Sequence, residues 1–565
     1  MAIEIELKVG KQGEVLDRGL RTLRDVNFLE RIFKRDGSLW SSDPRHKSIA
    51  ESRLGWLELP ATMLEKVDHV ESFVQEKCYG QYKYAVHLGM GGSSLAPEVL
   101  FLTFRSLQGF PELIVLDSTD PDQIYDVVNQ IDLSSAIFIV ASKSGTTVET
   151  DSLARFFYEK IKEACPASCR EHFIAITDPG TQLQEYSDQN YLRTFVNPPD
   201  IGGRYSALSY FGLVPFALMG HDLKRFLGRS YDVQTSCKSG SWFDCPGVKV
   251  GALLGSLALQ GIDKLTLQVS PSIQSLGSWI EQLIAESTGK DGKGILPVVN
   301  EQLTTPEFYS SDRVFVYISV RSEVEVEKER KLLALESRGY PIIKIVLDDI
   351  YDLSSVFYTW EIATAAAAVI IGIDPFDEPN VQESKDNTKK ILKEFQLTGR
   401  MSIDNKPLFK NRIIIFGNVE AKPFAYEKDV IRALFQKKRE GDYLAITAYL
   451  PRRNHLETKF QRLQAIIRDK LQIPVTVGFG PRYLHSTGQF HKGGNPKGLF
   501  IQLTHSPEQE MSIPGEDYTF ADLFQAQAIG DYNALKSKGK PILSIQLGKD
   551  YEHELTKLID EVAVI

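Results

Sequence analysis

Ser142-Lys143-Ser144-Gly145-Thr146-Thr147 gathers hydroxyls and a lysine just after the apolar run Ile137-Phe138-Ile139-Val140 and ahead of a helical pattern reaching about Ala164. Open N–H groups at a helix start, with the helix dipole behind them, attract an anion. Hydroxyl and ammonium donors added to them suit a phosphate monoester. The plainer reading, a Ser/Thr cap on a crossover helix, needs one hydroxyl rather than several. Ser142, Lys143, Ser144, Thr146 and Thr147 are therefore read as phosphate ligands. The pattern GxxxxGK[ST] is absent, which argues against a P-loop nucleotide site. A second turn, Gly89-Met90-Gly91-Gly92-Ser93-Ser94, misses GxGxxG at its last position and leaves an NAD-dependent dehydrogenase as an alternative. In that turn Gly92 is a candidate substrate contact, while Ser93 either bonds a ligand hydroxyl or caps the next helix. Gln282 and Glu286 stand four apart on one face of a helix expected to begin near Pro271. Glu286 is near the end marked by Gly289, where the dipole and partial burial would raise a carboxylate's pKa. A solvated surface glutamate is the competing account. Arg204 follows Gly202-Gly203, which aims a guanidinium into a cleft or into a structural salt bridge.

These residues need elements to hold them. From Tyr84 the chain repeats an apolar strand, a glycine- or serine-rich turn and a helix: Ala85–Leu88, Leu113–Asp117, Ile137–Val140 and Phe173–Ile176. Near-continuous apolar strands alternating with helices indicate a buried parallel sheet. A second unit of the same design has strands at Leu265–Val269, Val314–Ile318 and Ile342–Val346, then an alanine-rich helix, Glu361 to Ile371. A third starts near Pro407, with strands expected at Ile413–Phe416, Tyr443–Ala448, Pro474–Gly478, Leu499–Leu503 and Ile542–Leu547. The expected division is a strand-and-helix extension (1–70), two parallel-sheet α/β sandwich domains (71–235 and 236–400) and a C-terminal α/β domain (401–565).

The bulk properties fit that plan. A chain of 565 residues, 42% hydrophobic and 25% charged, is long enough for several cores. Its net charge of -9 supplies no field for nucleic acid or an anionic membrane, so any phosphate must be held locally. The apolar stretch Ala363 to Ile373 falls short of the roughly 20 residues of a membrane helix. The start, Met-Ala-Ile-Glu-Ile-Glu-Leu-Lys, reads as a strand rather than a signal peptide. Five sparse cysteines, Cys78, Cys165, Cys169, Cys237 and Cys245, are expected to be unreactive thiols in a reducing cytoplasm. No second cysteine pair joins Cys165 and Cys169 to complete a zinc site.

Four segments, taken in order, resemble a known family. Ser142 to Thr150 is similar to the phosphate segment of sugar isomerase (SIS) domains, and Asp200-Ile201-Gly202-Gly203-Arg204-Tyr205-Ser206 to a signature of glucose-6-phosphate isomerases. Glu286-Ser287-Thr288-Gly289-Lys290 and Phe376-Asp377-Glu378-Pro379-Asn380-Val381 through Lys385 match two further family segments. The C-terminal segments Arg482 to Gln489 and His505 to Glu510 look like the isomerase half of fused transaldolase–isomerase chains. A transaldolase barrel needs about 250 residues, and no segment is free to supply one.

The resemblance implies two SIS-type sandwiches and reversible aldose–ketose isomerisation of glucose 6-phosphate and fructose 6-phosphate. That chemistry needs a carboxylate base, a ring-opening acid/base pair and a cation beside the enediolate, without metal or redox cofactor. By resemblance Glu286 is the base, Arg204 stabilises the enediolate, Lys385 assists ring opening, and Gln282 and Glu378 line the sugar. Two departures stand out. The family commonly has Gln where Glu378 stands; this extra carboxylate would be tolerable if paired with Lys143 or Lys385. The family's histidine falls between base and lysine, yet no His occurs between Glu286 and Lys385. His485 and His491, flanking Ser486-Thr487-Gly488-Gln489-Phe490, are the candidates. In the family this histidine comes from a partner subunit, so the resemblance leaves open a homodimer and a separate transaldolase. A non-catalytic SIS sugar-phosphate sensor is the other alternative. It would keep the phosphate loop without needing Glu286, Arg204 and Lys385 together.

Overall fold

The computed structural model describes residues 3–10, 13–242, 244–323, 325–401, 403, 406–420 and 423–565. After β1 (Ile3–Lys8), the first sheet contains β2 (Tyr84–Gly89), β3 (Glu112–Leu116), β4 (Ala136–Ala141), β5 (Phe173–Thr177) and β6 (Arg193–Val196). Its order is β3-β2-β4-β5-β6 and every pairing is parallel. All six residues of β4 are buried, as expected of a strand covered on both faces. The chain leaves β2 towards β3 and then crosses back to β4. The loops at the carboxyl ends of β2 and β4 therefore diverge at a topological switch point, where α/β sheets place their ligands.

The second sheet contains β7 (Lys264–Val269), β8 (Leu296–Val298), β9 (Arg313–Val320) and β10 (Ile342–Leu347). Its order is β1-β10-β9-β7-β8, with β1 antiparallel to β10 from Ile3↔Leu347 to Lys8↔Ile342. The N-terminal segment is thus built into the second unit rather than standing apart as an extension. Met1 and Ala2, read as part of that strand, lie outside the described residues. Two helices, Pro246–Leu259 and Leu353–Ile371, pack closely in this unit. Gly251 explains how close: a Cβ there would stand 2.4 Å from the Ala363 carbonyl oxygen. The segment Ile350–Ile371 is long and apolar enough to cross a membrane, but 89% of its apolar window is buried inside the protein.

The third sheet contains β11 (Phe409–Lys410), β12 (Ile414–Gly417), β13 (Leu444–Tyr449), β14 (Val475–Phe479), β15 (Leu499–Thr504) and β16 (Ile542–Gln546). Its order is β11-β12-β16-β15-β13-β14; β13 to β16 run parallel and the first two strands antiparallel. The expected α/β architecture is present in all three sheets. One expectation about the cysteines is corrected: Cys237 and Cys245 form a disulfide, their Cα atoms 4.5 Å apart. The end of one helix and the start of the next bring them together. Cys78, Cys165 and Cys169 are free thiols.

Candidate active site

The turn after β2 and the turn before Arg204 meet backbone to backbone. Gly92 makes this approach possible, since a Cβ there would lie 2.1 Å from the Gly203 carbonyl oxygen. Between the first two sheets and the third domain lies a cavity of about 790 Å³. Gly92, Ser93, Lys143, Ser144, Thr147, Arg204, Gln282, Glu286, Glu378, Lys385 and His485 all line it. Ser93 is not a helix cap: the N-cap position belongs to Ser94, whose hydroxyl donates to Asp117 at 2.9 Å.

Two expected phosphate ligands are not on the wall of this cavity. Ser142 is buried and braces the loop by donating to the Thr147 hydroxyl at 3.1 Å. Thr146 is exposed and turns back on Ser144, with N–H and hydroxyl at 3.3 and 3.2 Å from its Oγ. Lys143 pairs with Asp178.

Glu286 projects from the helix Leu276–Thr288, every residue of which but Ser278 is buried. Burial raises its pKa, and the charge of Glu378 adds to the effect, while Arg204 and the Gln282 amide oppose it. One oxygen accepts from Arg204 Nη1 at 3.1 Å and the other from Gln282 Nε2 at 3.1 Å. Such a carboxylate is oriented, dry and more basic than one in water. Arg204 is itself fully engaged: Nε donates to Ser287 at 2.8 Å, Nη1 also to Glu378 at 3.1 Å, and Nη2 to the carbonyls of Pro375 and Asp377 at 2.5 and 3.0 Å. The pairing expected of Glu378 is thereby corrected. Arg204 reaches it, because the Asp374–Glu378 turn wraps over the guanidinium, whereas Lys143 is taken by Asp178.

The two histidines separate cleanly. His485 ends the short turn Arg482–His485, which the third domain pushes into the cleft. Arg482 of that turn pairs with Glu98 and Asp117 of the first domain. The His485 carbonyl accepts from Gln282 at 2.7 Å, and its Nε2 lies 3.0 Å from Glu149 Oε1. His491 does not line the cavity, and the catalytic role expected of it is withdrawn. It packs against Tyr443, Phe490 and Phe500 with Nδ1 3.0 Å from the Tyr443 hydroxyl, and burial pushes its pKa down to about 3. Buried among aromatic rings and absent from the cavity wall, the ring cannot reach a substrate there.

Glu149 went unselected from the sequence although it stands two residues beyond the phosphate loop. Burial works against its charge, but His485 and then Lys385 hold its carboxyl below the usual range. Gln527 donates to the same oxygen at 2.8 Å, fixing the carboxylate from the third domain. Lys290 was also missed as a contributor. It donates to the carboxylate and carbonyl of Asp377 at 2.5 and 2.6 Å and anchors the turn that holds Arg204.

A hydroxyl-rich anion loop and a buried carboxylate–arginine pair thus share one cavity beside two parallel sheets. The phosphoglucose isomerase family matches residues 59–302. A probable glucose-6-phosphate isomerase of Methanococcus maripaludis is 27% identical over 435 residues, covering 70% of this chain and 96% of that protein. The glucose-6-phosphate isomerase of Pediococcus pentosaceus is 29% identical over 409 residues, covering 63% and 89%. A solved structure of a hypothetical protein from Thermus thermophilus shares the fold at TM-score 0.58 and 22% identity, covering 70% of this chain and 100% of its own. A glucose-6-phosphate isomerase from Chlamydia trachomatis does so at TM-score 0.54 and 17% identity, covering 70% and 89%. The chain is thus similar to the phosphoglucose isomerase family over residues 59–302 and to glucose-6-phosphate isomerases over most of their length.

Proposed function

We infer that the chain interconverts glucose 6-phosphate and fructose 6-phosphate through an enediolate. The observation that carries this reading is the buried Glu286 held 3.1 Å from Arg204 in one cavity with the phosphate loop and His485. In this reading the loop around Ser144 and Thr147 takes the phosphate. His485 and Lys385 open the ring, one removing the anomeric hydroxyl proton and the other returning a proton to the ring oxygen. Glu286 then takes the C2 proton of the open aldose, and electrons from the broken C–H bond form the C1–C2 double bond while negative charge builds on the carbonyl oxygen. Arg204 stabilises that charge at close range in a water-poor site. A proton then passes from the C2 hydroxyl to the C1 oxygen, and return of the carbon-bound proton from Glu286 to C1 gives the ketose.

The histidine of this site comes from the same chain, so a homodimer is not required to complete it. Association with a separate transaldolase is a proposal carried by the sequence resemblance, and a cytoplasmic location one drawn from the sparse cysteines; co-purification and fractionation test them. The direct test measures fructose 6-phosphate formation from glucose 6-phosphate by wild type and Glu286→Gln. Loss of roughly 10²–10⁴-fold in kcat is expected for removal of a positioned base. Retained activity would reassign the base. Binding without turnover by the wild type would favour a sensor.

A further inference from the structure

At the mouth of the cavity, three ligand-type atoms converge from two parts of the chain. His46, on the helix Pro44–Glu51, faces Asp374 and Asp377 of the turn that wraps Arg204. Asp374 uses Oδ1 to accept the Phe376 N–H at 2.9 Å, and Asp377 uses Oδ1 to accept Lys290 Nζ at 2.5 Å. Each carboxylate therefore turns its second oxygen towards the imidazole. His46 Nδ1 stands 3.5 Å from Asp374 Oδ2 and 3.4 Å from Asp377 Oδ2, and the three atoms lie within 4.8 Å of one another. His46 Nδ1 and Asp374 Oδ2 are both buried without a hydrogen-bond partner, and the Asp374 side chain is only 5% exposed.

The two separations from the imidazole nitrogen are those of a coordination shell. Metal–ligand bonds of about 2.0–2.1 Å put tetrahedral ligands about 3.3–3.4 Å apart. The outer oxygens are already tied to Phe376 and Lys290, as the carboxylates of built metal sites are. We propose that His46, Asp374 and Asp377 form a binding site for a divalent transition-metal cation of the zinc type. One nitrogen and two carboxylate oxygens favour zinc or cobalt over magnesium or calcium, which take oxygen ligands. The fourth position opens on the cavity that Glu286 and Arg204 share.

Occupancy inhibits the enzyme. Arg204 donates to the carbonyls of Pro375 and Asp377, inside the segment the cation would pin. A fixed turn ties Arg204 to Glu378 and to the Pro375 and Asp377 carbonyls, so the guanidinium cannot shift to follow the charge developing on the enediolate oxygen. This inhibitory half rests on the isomerase reading; binding of the metal does not.

Chelator-treated protein is titrated with cobalt(II), followed by its visible absorption, and with zinc(II) by calorimetry. One cation per chain is expected, with a nitrogen/oxygen spectrum that lacks a thiolate band from Cys165. His46→Gln and Asp374→Asn should each weaken binding at least about tenfold, with circular dichroism confirming that the variants fold. Zinc should slow wild-type turnover, EDTA should restore it, and His46→Gln should resist zinc relative to its own metal-free rate. Undiminished stoichiometry and affinity in His46→Gln, or no binding at millimolar cobalt, would overturn the site. An imidazolium merely bridging two carboxylates gives that last result. Binding without inhibition overturns the inhibitory half, whereas a metal-free protein lacking isomerase activity counts against the isomerase reading instead.

Discussion

His485 Nε2 and Glu149 Oε1 lie 3.0 Å apart across 336 residues of sequence, joining the third domain to the helix behind the phosphate loop. With Nε2 facing a carboxylate, the imidazole is fixed in tautomer and leaves Nδ1 for the substrate. Glu149→Gln keeps a hydrogen-bonding side chain but removes the charge. It should lower kcat by roughly 10- to 100-fold and leave KM within about twofold, while His485→Gln should cost roughly 10²–10⁴-fold. Steady-state kinetics checks both. Equal effects on KM and kcat would mean that the pair only supports the domain contact.

Glu378 should set the acidic limb of the pH profile. Burial first, and the charge of Glu378 after Arg204's opposing effect, determine where Glu286 ionises. The base must be ionised to act, so activity falls as pH drops through its raised pKa. Glu378→Gln removes a like charge and favours ionised Glu286, moving the limb to lower pH. The kcat profile reads this directly. An unmoved limb would show that Arg204 screens the two carboxylates completely.

How much of this was readable beforehand depends on distance along the chain. The phosphate loop was legible because strand, hydroxyls and helix are contiguous, and Gln282 and Glu286 because a helix period fixes their common face. Choosing between His485 and His491 was not possible from spacing. The turn ending at His485 enters the cleft, while the following helix Thr487–Gly493 carries His491 into an aromatic core. Glu149 looked like an ordinary acidic residue in a first helical turn, where the dipole alone would justify it. Pairing of β1 with β10 and the approach of His46 to Asp374 are contacts across more than 300 residues, for which sequence offers no local signal. Cys237 and Cys245 were misread because composition speaks to compartment, not to whether two helix ends meet.

Arg204 should matter for stability as well as rate. Its guanidinium is 3% exposed and all three nitrogens have partners. Arg204→Ala leaves the Pro375 carbonyl and one oxygen of the buried Glu286 without their partner, while the Asp377 carbonyl keeps Lys290 and the Ser287 hydroxyl keeps Tyr205. Breaking a buried pair in this way costs roughly 3–5 kcal/mol, so the melting temperature should fall clearly in calorimetry. Arg204→Lys should recover part of the loss but little activity, since a point charge cannot span Glu286, Ser287 and the Pro375 carbonyl together. A variant that melts like wild type would deny the network its structural share.

Glu281 offers a test in which stability and pH are linked with a definite sign. It neighbours Gln282 but faces a separate cavity of about 90 Å³ shared with Arg452 and Arg482. Burial pushes its carboxyl up to about 8, only partly offset by Arg482. An unfolded glutamate titrates near 4.3, so between that value and about 8 the folded state holds a proton that the unfolded state has released. The protonated side chain's contribution is therefore intact below the unfolded pKa and is lost as pH rises through the folded one. Glu281→Gln keeps the shape and removes the titration. Against wild type, it should melt at a similar temperature near pH 5 and at a higher one near pH 8. If the difference in melting temperature stays constant across that range, the folded carboxyl is already ionised beside Arg482, and its burial carries no pH-dependent cost.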